Sequence, residues 1–185
     1  MKKLLGVIAL LFVITQTGIH AQALKQFSAV VQPKAADSKC YLSLQKGSVF
    51  AEKEAIGVKS EIDFVYQYSA SGGGSVKKEI KKEFYNMSGK DIDLPAALTG
   101  TKTGIVALTW DKDLVDKCNT VADLKRMTAS YNKNSFSFYA NFCSNSTGDI
   151  DTHYYIFMLE NGKMGIMELD KAEGNDVAIK VKMEP

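Results

Sequence analysis

Apolar residues fall along this chain in three patterns: one unbroken run at the start, short alternating stretches through the body, and brief helical spacings between them. The unbroken run, Leu4 to Thr15, follows Lys2 and Lys3 and is stopped by Gln16, Thr17 and His20. A bilayer-spanning helix takes about 20 apolar residues, so the run has the length of a signal-peptide core and not of a membrane anchor. Ala21-Gln22-Ala23 offers small residues where a signal peptidase reads, and cuts after Ala21 and after Ala23 both fit. Residues 1–23 are expected to be a signal peptide and 24–185 a single globular domain. The first cysteine, Cys40, follows the polar Asp37-Ser38-Lys39, which is no lipobox, so no lipid anchor is expected.

Beyond the run, Leu24 to Lys39 is polar and reads as a loose leader or an edge strand. Cys40, Leu42 and Leu44 alternate onto one face, Lys46-Gly47 supplies a turn and Val49-Phe50 starts the return, which predicts a hairpin. Ala51 to Ile56 is rich in helix formers and Gly57 is placed to end them. Ile62, Phe64, Tyr66 and Tyr68 predict one face of a strand, with Asp63, Val65 and Gln67 on the other. Gly72-Gly73-Gly74 follows as a loop. Val76 to Phe84 fits helix or strand, but its like charges at i, i+4 oppose a helix, and strand is the better reading. Ile105 to Trp110 predicts a buried strand. After Asp111, the shared face of Leu114, Cys118 and Val121 predicts one kinked helix or two short ones, and Thr120 with Asp123 resembles a capping box.

The last third alternates strongly. Phe136, Phe138, Ala140 and Phe142 form one series, and His153, Tyr155, Phe157 and Leu159 another against Tyr154, Ile156 and Met158. Asn161-Gly162 is a type I′ hairpin signal. Met164 to Leu169 returns, and Gly174-Asn175-Asp176 turns the chain into Val177, Ile179, Val181 and Met183. About six to eight strands with two or three short helices give an α+β domain. The expected sheet is mixed or mostly antiparallel and ends in a three-stranded antiparallel meander.

Charge changes this picture once the signal is set aside. Lys2 and Lys3 are two of the 23 basic residues, so the chain beyond the signal carries 21 basic against 21 acidic residues. A neutral domain has no long-range field for phosphate backbones, so nucleic acid is not an expected partner. Of the two histidines only His153 remains after His20 leaves, and a site needing two histidine ligands cannot form within one chain. No membrane span is expected after signal removal. Cys40, Cys118 and Cys143 are an odd set for an exported protein: three buried apolar thiols, or one bridge such as Cys118 to Cys143 with a thiol left over. A nucleophilic cysteine would need His153 on the same pocket wall.

Candidate chemistry is sparse. Asp91/Asp93, Asp111/Asp113 and Asp149/Asp151 have the oxygen-rich spacing that calcium loops favour, but none completes an EF-hand: Tyr154 stands where the third needs glycine, and the others lack the acidic twelfth position. They read as turn and cap aspartates. There is no G-x-S-x-G elbow, no P-loop order in Gly100 to Gly104, and no dinucleotide fingerprint. No cofactor, metal site or catalytic residue is expected. Asp63, an acid inside an apolar strand, is either a tuned group, a solvent-facing one, or an acceptor for loop amides. With Tyr66 and Trp110 it makes the candidate contact surface.

Lys46 to Phe50, Ile62 to Tyr66, and Asn161 to Ile166 with a lysine-containing last strand resemble small exported α+β domains of host-associated Gram-negative bacteria. The resemblance covers about residues 40 to 183 and implies a periplasmic or surface location. Many such domains are lipoproteins, from which this chain departs, and the resemblance implies no activity. The expected function is an exported, non-enzymatic binding or interaction domain for a glycan or protein at the cell surface. A carboxylate-based hydrolase of glycans or cell-wall material, and a structural or adhesion component, are the alternatives.

Overall fold

The computed structural model describes residues 22–71, 79–87, 98, 100–108, 112–138, 142 and 153–185. They form nine strands in two antiparallel sheets and three short α-helices. The strands are β1 (Lys25–Val31), β2 (Tyr41–Ser43), β3 (Ser48–Phe50), β4 (Phe64–Ser71), β5 (Glu79–Asn86), β6 (Gly104–Leu108), β7 (His153–Met158), β8 (Met164–Lys171) and β9 (Val177–Met183). The helices are α1 (Glu52–Gly57), α2 (Lys112–Lys117) and α3 (Val121–Thr128). One sheet runs β1-β9-β8-β7-β6 and the other β3-β2-β4-β5. The sequence pattern suggested one sheet; the segments instead divide between two, because their alternating apolar faces close on each other.

That closure is the main core. Phe64, Tyr66 and Phe84 from the four-stranded sheet pack with Tyr155, Phe157, Met167, Leu169, Ile179 and Val181 from the five-stranded one. Alternation places them: along β9, Val177, Ile179, Val181 and Met183 are buried while Lys180 is exposed. Helices cover the outer faces. Ala55 of α1 packs with Tyr41, Ile62 and Val65 on the small sheet. Val115, Cys118 and Leu124 around α2 and α3 pack with Leu24, Tyr154 and Ile166 on the large one. Four layers result, and β4 is covered on both sides. Phe64, Val65 and Tyr66 are therefore all fully buried, and so are Ile62 and Asp63 just ahead of them.

Several local expectations are corrected. For Leu24 to Lys39 the edge-strand alternative holds over the loose leader: the segment contains β1, paired with β9 from Lys25↔Met183 to Val31↔Val177. Leu42 and Leu44 face the main core, but Cys40 packs in the outer cluster with Tyr41, so the three do not share a face. Two short helices follow residue 111, and Val115, not the 53%-exposed Leu114, joins Cys118 inside. Thr120 and Asp123 do form the reciprocal cap: the Asp123 amide donates to Thr120 Oγ1 at 3.1 Å, and the Thr120 amide to Asp123 Oδ2 at 3.0 Å. Phe136 and Phe142 are buried but belong to no named strand. Ser137 and Phe142 pair with the sheets through single bridges, to Ile105 and Phe84, and the Phe142 ring packs in the main core against Phe64, Phe84 and Tyr155.

The β7–β8 turn is not type I′, which needs a positive φ at both central residues. Only Gly162 has one, at 85°. The Gly162 amide donates to Leu159 O, and the Leu159 amide to Lys163 O, a three-residue loop closed by glycine in the left-handed region. Cys118 and Cys40 are free thiols, so no Cys118–Cys143 bridge forms; Cys143 itself lies outside the described residues.

Candidate functional site

Asp63 stands immediately before β4 and is fully buried. Its backbone is fixed on both sides: its amide donates to Leu42 O at 2.9 Å, and its carbonyl accepts from Met87 at 3.1 Å. The carboxylate then gathers three donors, the Leu44 amide on Oδ2 at 2.7 Å and the hydroxyls of Thr101, at 2.6 Å, and Thr103 on Oδ1. Asn86 Nδ2 extends the group by donating to Thr103 O. Burial pushes the Asp63 carboxyl above the usual carboxylate range, against the lowering effect of these hydrogen bonds. The carboxylate is saturated by backbone and hydroxyl donors and has no solvent-facing side. It pins the β2–β3 turn and the segment before β6 to β4, which is the loop-amide acceptor role and not that of a solvent-facing acid.

Tyr66 is also fully buried, its ring stacked on Phe84 at 4.8 Å between centroids. Its hydroxyl donates to Asn175 O at 2.8 Å, in the β8–β9 turn, and so ties the small sheet to the large one. Trp110 lies outside the described residues. Asp63 and Tyr66 therefore do not form an open contact surface. Both hold the interior together.

An open polar groove lies elsewhere among the described residues. A groove of about 340 Å³ runs between α2 and the outer face of the five-stranded sheet, with Gln26, Ser28, Asp116, Glu168, Lys180 and Lys182 among its walls. Strand alternation supplies these side chains: where the inner positions of β8 and β9 carry the core, the outer ones carry Glu168, Lys180 and Lys182. Glu168 and Lys180 are directly opposite in the β8–β9 register, and Lys180 Nζ reaches Glu168 Oε1 at 3.1 Å. That hydrogen bond and the carboxylate's charge raise the pKa of Lys180. Lys182 is spent differently. Its Nζ donates to the carbonyls of Val115 (2.9 Å) and Cys118 (3.1 Å) and to Asn119 Oδ1 (3.2 Å), which closes the C-terminal end of α2. Next to Glu168 on the same face of the sheet, burial and the carboxylates of Glu168 and Asp116 push the Tyr154 phenol up.

Sequence reasoning missed this site because it followed the apolar faces of the last strands and assigned no role to the polar positions opposite them. The register signal was present, an acid on one strand of a hairpin and lysines on the next, but nothing in the chain showed that α2 would stand beside them. The groove presents one ion pair, an amide and a hydroxyl on a rigid sheet, an arrangement that accepts and donates hydrogen bonds.

Among the described residues no group of three histidine, cysteine or acidic side chains is placed to hold a metal ion. Asp113 is exposed on α2, and the other Asp-x-Asp aspartates lie outside the described residues. His153 meets Tyr155 edge-on at 6.4 Å. Burial raises the pKa of both Cys40 and Cys118, the opposite of what activates a nucleophilic thiol. No helix among the described residues is long and apolar enough to cross a membrane. No known protein family matches the chain, and neither a curated protein nor a solved structure does.

Proposed function

We propose that the protein is an exported binding domain that takes a polar ligand, a glycan or a segment of another protein, in the groove between α2 and the five-stranded sheet. The export part rests on the charged, apolar and small-residue order of residues 1–23. The binding part rests on one observation: outward side chains of three adjacent strands, Gln26 and Ser28 on β1, Lys180 on β9 and Glu168 on β8, meet in one groove beside α2. Preorganised polar groups on strands make a precise recognition surface, and burial of the Glu168–Lys180 pair under a ligand would strengthen its hydrogen bonds.

The test is binding of the purified protein to an array carrying peptidoglycan fragments and host-type oligosaccharides, beside a peptide array. Binding to either array that falls about tenfold or more in Lys180→Glu and in Ser28→Trp supports the groove. Binding that both variants leave unchanged, or none on either array, overturns it.

The hydrolase reading has one specific observation in its favour: two carboxylates, Asp116 and Glu168, line the same groove. Glycoside cleavage needs an acid and a base or nucleophile across the scissile bond. Release of soluble fragments from cell-wall material that is lost in both Asp116→Asn and Glu168→Gln would establish it. Absence of release by the unaltered protein removes it.

A further inference from the structure

The three residues ahead of β1 are part of the folded domain. Ala23 bridges Thr120 in antiparallel fashion. On either side of that bridge, Gln22 O accepts from the Val121 amide at 2.8 Å, and the Leu24 amide donates to Asn119 O at 3.3 Å. The Leu24 side chain is 6% exposed and packs with Val115, Cys118 and Leu124. Gln22–Leu24 thus forms a clasp across the turn between α2 and α3. Its first residue satisfies an amide in the opening turn of α3, which has no partner within the helix, while Thr120 satisfies another.

The two candidate signal cuts differ in what they leave of this clasp. Ala21-Gln22-Ala23 on its own favours the cut after Ala23, which has alanine at both positions the peptidase reads; the cut after Ala21 has Ile19 at the outer one. A cut after Ala23 removes the Gln22 carbonyl and leaves the Val121 amide without it. It also turns the Leu24 nitrogen into an ammonium bonded to Asn119. Lys182 Nζ already donates to Asn119 Oδ1 and Cys118 O there, so the new ammonium would stand beside a cation that this turn already holds. A cut after Ala21 keeps every bond and puts the new charge on the exposed Gln22.

We infer that the chain is processed between Ala21 and Gln22, and that Gln22–Leu24 serves in the mature protein as a clasp on α3. The inference rests on the export reading above. In the step, water adds across the Ala21–Gln22 peptide bond, giving a carboxylate on Ala21 and an α-amine on Gln22. That amine can then attack the Gln22 side-chain carboxamide and expel ammonia, closing a lactam.

The full chain, expressed in a Gram-negative host and recovered from the periplasm, is read by intact mass and N-terminal peptide mapping. A protein beginning at Gln22, with or without loss of one ammonia, is the expected result. A protein that begins at Leu24 overturns the site while leaving export standing; one that still begins at Met1 overturns the export reading and the site together. A second measurement tests the clasp. Deleting Gln22 and Ala23 from the full chain is expected to give a processed protein whose Tm is lower by about 2–4 °C, the shift that loss of one net hydrogen bond produces in a domain of this size. An unchanged Tm overturns the clasp.

Discussion

The amide of Leu44 donates to the carboxylate of Asp63 over 2.7 Å, and both residues are fully buried. With the hydroxyls of Thr101 and Thr103 on the other oxygen, one side chain holds both the β2–β3 turn and the segment before β6 against the start of β4. Asp63→Ala leaves that amide and two hydroxyls without their acceptor and is expected to cost about 3 kcal/mol or more in urea unfolding. Asp63→Asn should cost less than half as much, because its oxygen can take the Leu44 amide while its NH₂ donates to a threonine hydroxyl. Equal losses in the two variants would show that the network does not set the cost.

The same carboxyl predicts a pH dependence with a definite sign. Burial raises its pKa in the folded protein. Between the ordinary aspartate value and that raised one, the folded state holds a proton that the unfolded chain has released. This group's contribution to stability is therefore full at acid pH and is lost as pH rises through the window. Urea midpoints measured across pH should show the unaltered protein losing stability relative to Asp63→Asn on going from pH 4 toward neutrality. Parallel curves would dismiss the effect.

Lys182 closes α2, and its loss should be felt as helix fraying. Lys182→Met keeps the aliphatic stem but removes every donor to the carbonyls of Val115 and Cys118. A loss of about 1–2 kcal/mol is expected, with faster amide exchange confined to α2 and the α2–α3 turn. Exchange that rises evenly over the molecule would argue against a local role.

Two glycines should respond in opposite directions. A Cβ on Gly165 would stand 2.3 Å from Phe157 Cζ and 2.7 Å from the backbone oxygen of Lys182, so Gly165→Ala forces a core ring and a neighbouring strand apart. It should destabilise by about 1–3 kcal/mol. A Cβ on Gly57, at the end of α1, meets nothing within 4 Å, and Gly57→Ala should stabilise by about 0.5–1 kcal/mol. Thermal melts of the pair decide both.

What the sequence disclosed follows from how far each signal reaches. Alternation in β4, β7 and β9 and the Thr120–Asp123 cap are local, and each was legible from a few residues. The division into two sheets was not, because the choice of partner for each strand depends on contacts between distant segments. Asp63 admitted three readings, a tuned group, a solvent-facing acid or an acceptor for loop amides; the last holds, but nothing near it in the chain announces Thr101 and Thr103, about forty positions away. Leu114 misled for a related reason: helical spacing marks a stripe, but which of Leu114 and Val115 turns inward depends on where the sheet lies. The groove was illegible for the same cause. Its lysines and acid are ordinary strand positions until α2 stands beside them.

The pairing of β1 with β9 has a consequence in time. Lys25 lies opposite Met183, so the first strand of the five-stranded sheet finds its neighbour only in the last. A chain emerging from a channel with its N-terminus leading presents β1 long before β9 exists to receive it, and loop-closure entropy must be met over nearly the whole sequence before that ladder can form. The β1–β9 ladder is therefore the last of this sheet to form, after the ladders among β6, β7, β8 and β9 have their strands at hand.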